Sequence, residues 1–361
     1  MKKLVIIGLV LLFLAPALFA EDAKVMPSLV GRLTIAPNFT FATGAFNNNG
    51  EFVEFASGDS IKVFNLGFAL EFGIISWITA AVQWAPGWTI WSDVKPAFPL
   101  PVPGNVNTNG VADLFIGAKF QIIGETAPVK NNMIRLALAP GVLIPLPGPD
   151  FEEEAVKIGL AQDATISNMD KHAFAVGGRF FFDFVFNKMF FINLFNETIV
   201  YPIGVDLKKT GLTGLQSYGT RAAIAGAGGA TAIDIDVNYG YKLTFEVEPV
   251  FSAPIGGGII LTAGVPVRYV YSPAPTHSVS VTHTNSVTKA ALEAAAETAL
   301  DAAAVGVQTL NINPNIAFFF TRTPLPLEFK FQYNIPVWGM NEFARHTAMF
   351  QIKAFFAFGK R

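Results

Sequence analysis

The side chains with most capacity for chemistry stand at alternate positions of apolar runs. The basic ones are Arg32, Lys119, Arg135, Arg179, Lys242, Arg268, Lys330 and Lys353. The acidic ones are Glu71, Asp113, Asp183, Glu197, Asp236, Glu246, Glu248 and Glu328. Groups spaced by two along strands share one face. Gathered in a common interior, they would pair across the lumen and brace the barrel, or some would contact a solute. Their balance of sign argues against a strongly ion-selective passage, which needs a bias of one sign. Asn311, Asn313 and Asn315 add neutral hydrogen-bonding groups on one face.

Catalytic chemistry has less to work with. The histidines are His172, His277, His283 and His346, all expected in outer loops or at strand ends. No Ser or Asp stands at a spacing that would complete a triad with any of them, so they read as surface residues and the chain as a non-enzyme. Asp150 with the acidic run 152–154 suits a solvated loop better than a cation site. The glycines of 226–229 lack the strand-then-helix setting of a phosphate-binding loop. The absence of Cys excludes disulfides and cysteine-ligated zinc. No cofactor or metal is expected.

The runs that carry these groups read as β-strands. Over 327–337, Leu327, Phe329, Phe331, Tyr333, Ile335 and Val337 alternate with Glu328, Lys330, Gln332, Asn334 and Pro336, a period that no helix explains. Twelve such segments are expected, at 29–41, 61–74, 77–88, 111–122, 133–146, 173–184, 189–201, 233–251, 259–271, 309–320, 325–338 and 346–358; ten to fourteen remain compatible. Pro37, Pro86, Pro140, Pro249, Pro266 and Pro314 fall within them. Each removes a ladder donor and demands a bulge or a break.

Composition says what surrounds the strands. Mean hydropathy is +0.43, only 14% of residues are charged and Phe occurs 35 times among 361, against about 25% charged in soluble domains. A net charge of −2 gives no argument for nucleic acid. Residues 1–20 read as a signal peptide, with Lys2 and Lys3 before an apolar core at 4–14 and cleavage after Ala20 or Ala17. Beyond it no apolar run is long enough to span. In lipid the remaining way to satisfy every backbone group is a closed barrel, expected over 21–361. Turning the 327–337 strand over would put Lys330 in hydrocarbon at a cost of about 2–4 kcal/mol, so the apolar face meets lipid.

The connections alternate in length. Those at 42–60, 89–110, 147–172, 202–232 and 272–308 are long; the joins near 73–76, 186–188, 253–257 and 321–324 are tight. Short periplasmic turns and long outer loops are the habit of bacterial barrels, which places every long loop outside. Trp88, Tyr201, Tyr269, Tyr271 and Trp338 are expected at the outer interface, with Trp77 and Phe356 at the inner one. The Ala, Leu and Glu residues of 289–304 suit a short helix, expected to fold into the barrel mouth as a constriction, with a place over the top as the alternative.

The segment GVADLFIGAKF at 110–120 resembles a strand motif of the phenol-degradation-type outer-membrane channels and their relatives among fatty-acid and aromatic-hydrocarbon transporters. The stretch 136–145, with Pro140-Gly141 and Pro145, is similar to the next strand of that family. The resemblance implies a passive outer-membrane channel for small hydrophobic or aromatic solutes, with Asp113 and Lys119 facing inward. Such a chain would have outer-membrane lipid and the barrel-assembly machinery as partners. Fatty-acid transporters carry a long N-terminal hatch, whereas few residues separate Glu21 from the first strand here. The competing expectation is a structural or adhesive barrel with a plugged lumen and partner-binding outer loops.

Overall fold

The computed structural model describes residues 22–94, 106–108, 110–146, 164–166, 171–206 and 232–358. The signal-peptide segment, the prolines of 96–103, the acidic run at 150–154, the glycines of 226–229 and Lys360 with Arg361 lie outside the described residues.

Twelve antiparallel strands close into one barrel. In chain order they are β1 (Val30–Ala42), β2 (Ile61–Ile75), β3 (Ile78–Val94), β4 (Leu114–Gly124), β5 (Ile134–Ile144) and β6 (Ala175–Val185). The second half comprises β7 (Phe190–Val200), β8 (Tyr241–Gly256), β9 (Ile259–Gly264 and Val267–Ser272), β10 (Val307–Ile312 and Asn315–Phe320), β11 (Leu327–Met340) and β12 (His346–Ala357). Sequential neighbours pair throughout, and β12 returns to β1 with Ile35 opposite Ile352. Closure leaves no free edge in the wall, as lipid requires.

Each strand turns its apolar parity outward. On β1, Leu33 and Phe39 are exposed while Thr34 and Asn38 are buried; on β8, Phe245 and Val247 are exposed while Thr244, Glu246 and Glu248 are buried. An apolar belt outside and buried polar groups inside invert the order of a soluble domain. Such a wall suits hydrocarbon surroundings, and the fold is that of a transmembrane barrel.

The prolines divide between those that interrupt the ladder and those that do not. Pro266 and Pro314 break β9 and β10 into halves. Pro86 sits in β3 beside register shifts at Phe64/Asn65 and Leu66/Phe68 of its partner β2. Pro37 and Pro140 stay within regular ladders. Strand β3 runs on to Val94, beyond the expected end at 88, because exposed Trp88, Ile90 and Trp91 continue the outer apolar face past the bulge.

One expected strand is two. Ala232–Asn238 leaves the barrel, and the chain turns at Gly240 (φ 62°), whose N–H donates to Asn238 Oδ1 at 2.9 Å, before β8 begins. Ala232–Asn238 instead pairs with Val205–Asp206 and with Thr276–Thr282 in a separate sheet at the long-loop end. Helix α1 (Ser286–Ala303), capped by Asn285, lies against this sheet. An apolar cluster joins Ile235, Val237, Val279, Val281 and Ala296 to Ile199 and Leu143 on the barrel, with Leu292 and Leu300 packed against it. The helix therefore belongs to an outer cap whose apolar cluster takes in Leu143, Ala175 and Ile199, on the lumen-facing parity of β5, β6 and β7.

α1 also seals the free edge of that sheet. Backbone N–H groups of Val281, Val279 and His277 donate to Glu293 Oε1, Glu297 Oε1 and Asp301 Oδ1 at 2.8, 2.9 and 2.8 Å. Carboxylates four residues apart on a helix thus meet donors two residues apart on an antiparallel strand.

Candidate functional site

The site is the barrel interior, and its charges pair along the wall. Arg32 Nε donates to Glu71 Oε2 at 2.6 Å, and the two are ladder partners on β1 and β2. The same holds for Arg135 and Asp183 (3.3 Å), Arg179 and Glu197 (3.5 Å), Arg268 and Glu246 (2.5 Å), and Lys353 and Glu328 (3.0 Å). Each pair joins neighbouring strands. Cross-strand pairs contribute roughly 0.2–1 kcal/mol each, and they neutralise the wall locally. The expectation of pairs spanning the lumen is corrected to pairs lying flat around it. Lys242 and Lys330 occupy inward positions of β8 and β11, in phase with Glu246 and Glu328.

Asp236 is a further correction. It is exposed on the polar face of the outer sheet, opposite Ser278, because the turn at Gly240 ends the alternation that seemed to run into β8. Trp338 and Tyr201 are corrections too. Trp338 lines an internal chamber, and Tyr201 is buried against Tyr239 with ring centroids 5.6 Å apart. Of the histidines, His172 is buried near Asp113, Nδ1 to Oδ1 at 3.7 Å, and is no surface residue.

On the β3–β7 side the lumen is filled from within by residues 22–26. The Ala23 N–H donates to both oxygens of Asp183 at 2.9 and 3.0 Å, and Met26 N–H to Thr79 Oγ1 at 2.8 Å. Lys119 Nζ donates to the Asp22 and Lys24 carbonyls at 2.7 and 3.0 Å, and Gln121 to the Ala23 carbonyl at 3.1 Å. Ala23 is fully buried and packs with Ala137, Ala139, Phe181 and Phe195. Just above, Arg179 crosses from β6 to donate to Gln83 of β3 at 2.9 Å. Spacing in the sequence does not reveal this stopper, since a five-residue segment is too short to show a period of its own.

On the opposite side the interior holds a chamber of about 250 Å³ between β9, β10, β11 and β12. Thr309, Asn311, Asn313, Gln332, Asn334 and Thr347 supply its polar wall, and Phe46, Trp338 and Phe343 its aromatic one. Glu342 and Arg345 stand at the long-loop end and pair at 2.8 Å. Beneath it lies a buried polar layer of Asn315, Glu248, Asn193 and Gln351, in which Asn315 and Asn193 donate to Glu248 at 2.8 and 3.1 Å.

The same architecture occurs in an outer membrane channel from Pseudomonas putida F1, 11% identical, with a TM-score of 0.58 over 94% of this chain and all of that one. The fold is that of an outer-membrane β-barrel. Weaker overlaps are found with a FadL homologue of Pseudomonas aeruginosa (9% identity, TM-score 0.37, 91% of this chain and 90% of that one) and with the toluene transporter TbuX of Ralstonia pickettii (8%, 0.37, 92% and 90%); neither is close enough to carry an argument. No protein-family model matches the sequence, and no curated protein matches it.

Proposed function

We propose that the chain is an outer-membrane channel for passive entry of small solutes. The observation that carries this is the polar chamber inside a closed, lipid-facing wall, lined up to the long-loop end by Phe46, Glu342 and Phe343. The similarity in fold to the Pseudomonas putida channel supports it. Residues 22–26 act as a throttle on the other half of the lumen, so the expected flux is small. Among solutes, the resemblance implied hydrophobic or aromatic ones. The chamber favours polar ones, because a hydrocarbon would strip water from its amides and replace none of their hydrogen bonds.

The test is solute flux into proteoliposomes carrying the full chain. Uptake of a small polar solute above that of empty liposomes is expected, with an increase in Asp183→Ala, which frees the stopper. Absence of flux in both proteins refutes the reading. A structural barrel with binding loops would then stand in its place, favoured by the cap that Ala232–Asn238, Thr276–Thr282 and α1 build at the long-loop end.

A further inference from the structure

We infer that the chamber between β9 and β12 is a binding site for a small neutral polyhydroxylated solute, such as a monosaccharide or cyclic polyol. The inference deepens the channel reading, on which it rests for access from outside.

Size comes first. A volume of about 250 Å³ lies below the roughly 300–1,000 Å³ of pockets that take drug-sized ligands, so the occupant is small. Charge comes second. The charged groups at the chamber are Arg268, which faces Glu246 at 2.5 Å, and Arg345, which faces Glu342 at 2.8 Å. Each is compensated by its own partner, and neither an anion nor a cation gains an uncancelled counter-charge there.

The hydrogen-bonding inventory selects the chemistry. Asn313 is 1% exposed, lines the chamber, and its Oδ1 has no hydrogen-bond partner among the described residues. A buried acceptor left in this state is destabilising, and a donor from a ligand would relieve it. At the opposite rim Arg345 Nε is a buried donor likewise without an acceptor. The chamber therefore asks for a molecule that donates at one point and accepts at another. Hydroxyl groups do both, and the remaining amides and hydroxyls of Asn311, Gln332, Asn334 and Thr347 extend the same pattern. Phe46, Trp338 and Phe343 add aromatic side chains to the lining, against which the C–H groups of a saturated ring can pack. Ordered water could satisfy single groups, but it would make no use of the aromatic wall.

The experiment is titration of the purified full chain, in detergent micelles, with D-glucose and with myo-inositol, toluene serving as the apolar probe. Tryptophan fluorescence is the readout, and Trp338→Phe identifies the reporting ring. A saturable change with at least one polyol is expected, lost in Trp338→Phe and weakened at least tenfold in Asn313→Leu and in Gln332→Leu. Folding of each variant is checked by its strand circular dichroism. Two variants at separate strands keep the test decisive if one fails to fold. No saturable change with either polyol, an undiminished one in both variants, or saturation by toluene alone overturns the proposal. Flux is read separately in proteoliposomes. Saturable binding without flux defeats the channel and leaves the site; flux without saturable binding does the reverse.

Discussion

Asp183 carries two obligations at once: it accepts the Ala23 N–H in both oxygens and faces Arg135 at 3.3 Å. Its side chain is wholly buried. Removing one partner of a buried charged pair costs about 3–5 kcal/mol because the other is left uncompensated. Asp183→Ala is expected to lower stability by that order in chemical unfolding, while Asp183→Asn, which keeps an acceptor, loses less. A loss under about 1 kcal/mol for Asp183→Ala would show that Arg135 finds Asp22 or Glu125 instead. Lys171, beyond the spanning strands, makes a different case. Its ammonium lies 4.6 and 4.5 Å from the ring centres of Tyr201 and Tyr239. Burial, with Lys242 nearby, pushes it down to about 7; the ring faces favour the charged form but do not offset that burial. From about pH 7 to the ordinary lysine value the unfolded chain holds a proton that the folded one has released. Stability therefore climbs with pH across that window and is level below it. Thermal unfolding of the cap between pH 6 and 9 should show this rise, and Lys171→Met should remove it.

At the scale of elements, the seal on strand Thr276–Thr282 is the most exposed to test. Glu297→Ala leaves the Val279 N–H without its acceptor, an expected loss of about 1–3 kcal/mol, whereas Glu297→Gln keeps the bond. Limited proteolysis across 273–306 is the measurement, with faster cleavage expected only in the alanine variant. The strands themselves were legible because lipid allows one solution: with Lys330 and Glu328 on β11, the opposite parity is too costly. Alternation alone could not show that residues 233–238 leave the barrel, since both strands keep the same period across the join. Gly240 was the one local signal. Trp338 was not legible by parity, because the ladder shifts register between Leu310 and Asn311 and the alternation of β11 breaks at Val337. The docking of 22–26 had no local signal, because its partners Thr79, Lys119, Gln121 and Asp183 come from three different strands.

For the whole molecule, five charge pairs lie tangentially around the wall and cancel within one strand spacing. An ion moving along the axis meets little net field from them. In planar bilayers under a salt gradient, the reversal potential is expected near zero, and Glu246→Gln, which uncovers Arg268, should shift it toward anions. A strongly cation- or anion-biased wild type would contradict the balance read from these pairs. Barrel, strand count and outer apolar face followed from hydropathy and period, which act along the whole chain. The chamber did not, since it is made by strands β9 to β12 meeting the loop residues Phe46 and Glu342.

The carboxylate seal of the outer cap sets a limit of length. Four helical residues advance about 6.0 Å and two strand residues about 6.8 Å. Each further contact therefore slips by about 0.8 Å, like the marks of a vernier. Three contacts, from Glu293, Glu297 and Asp301, accumulate about 1.6 Å, still within the play of a carboxylate side chain; a fourth would stand about 2.4 Å out. An outer cap built this way tolerates exchange of its residues but not lengthening by whole repeats, unless the helix also tilts away from the strand.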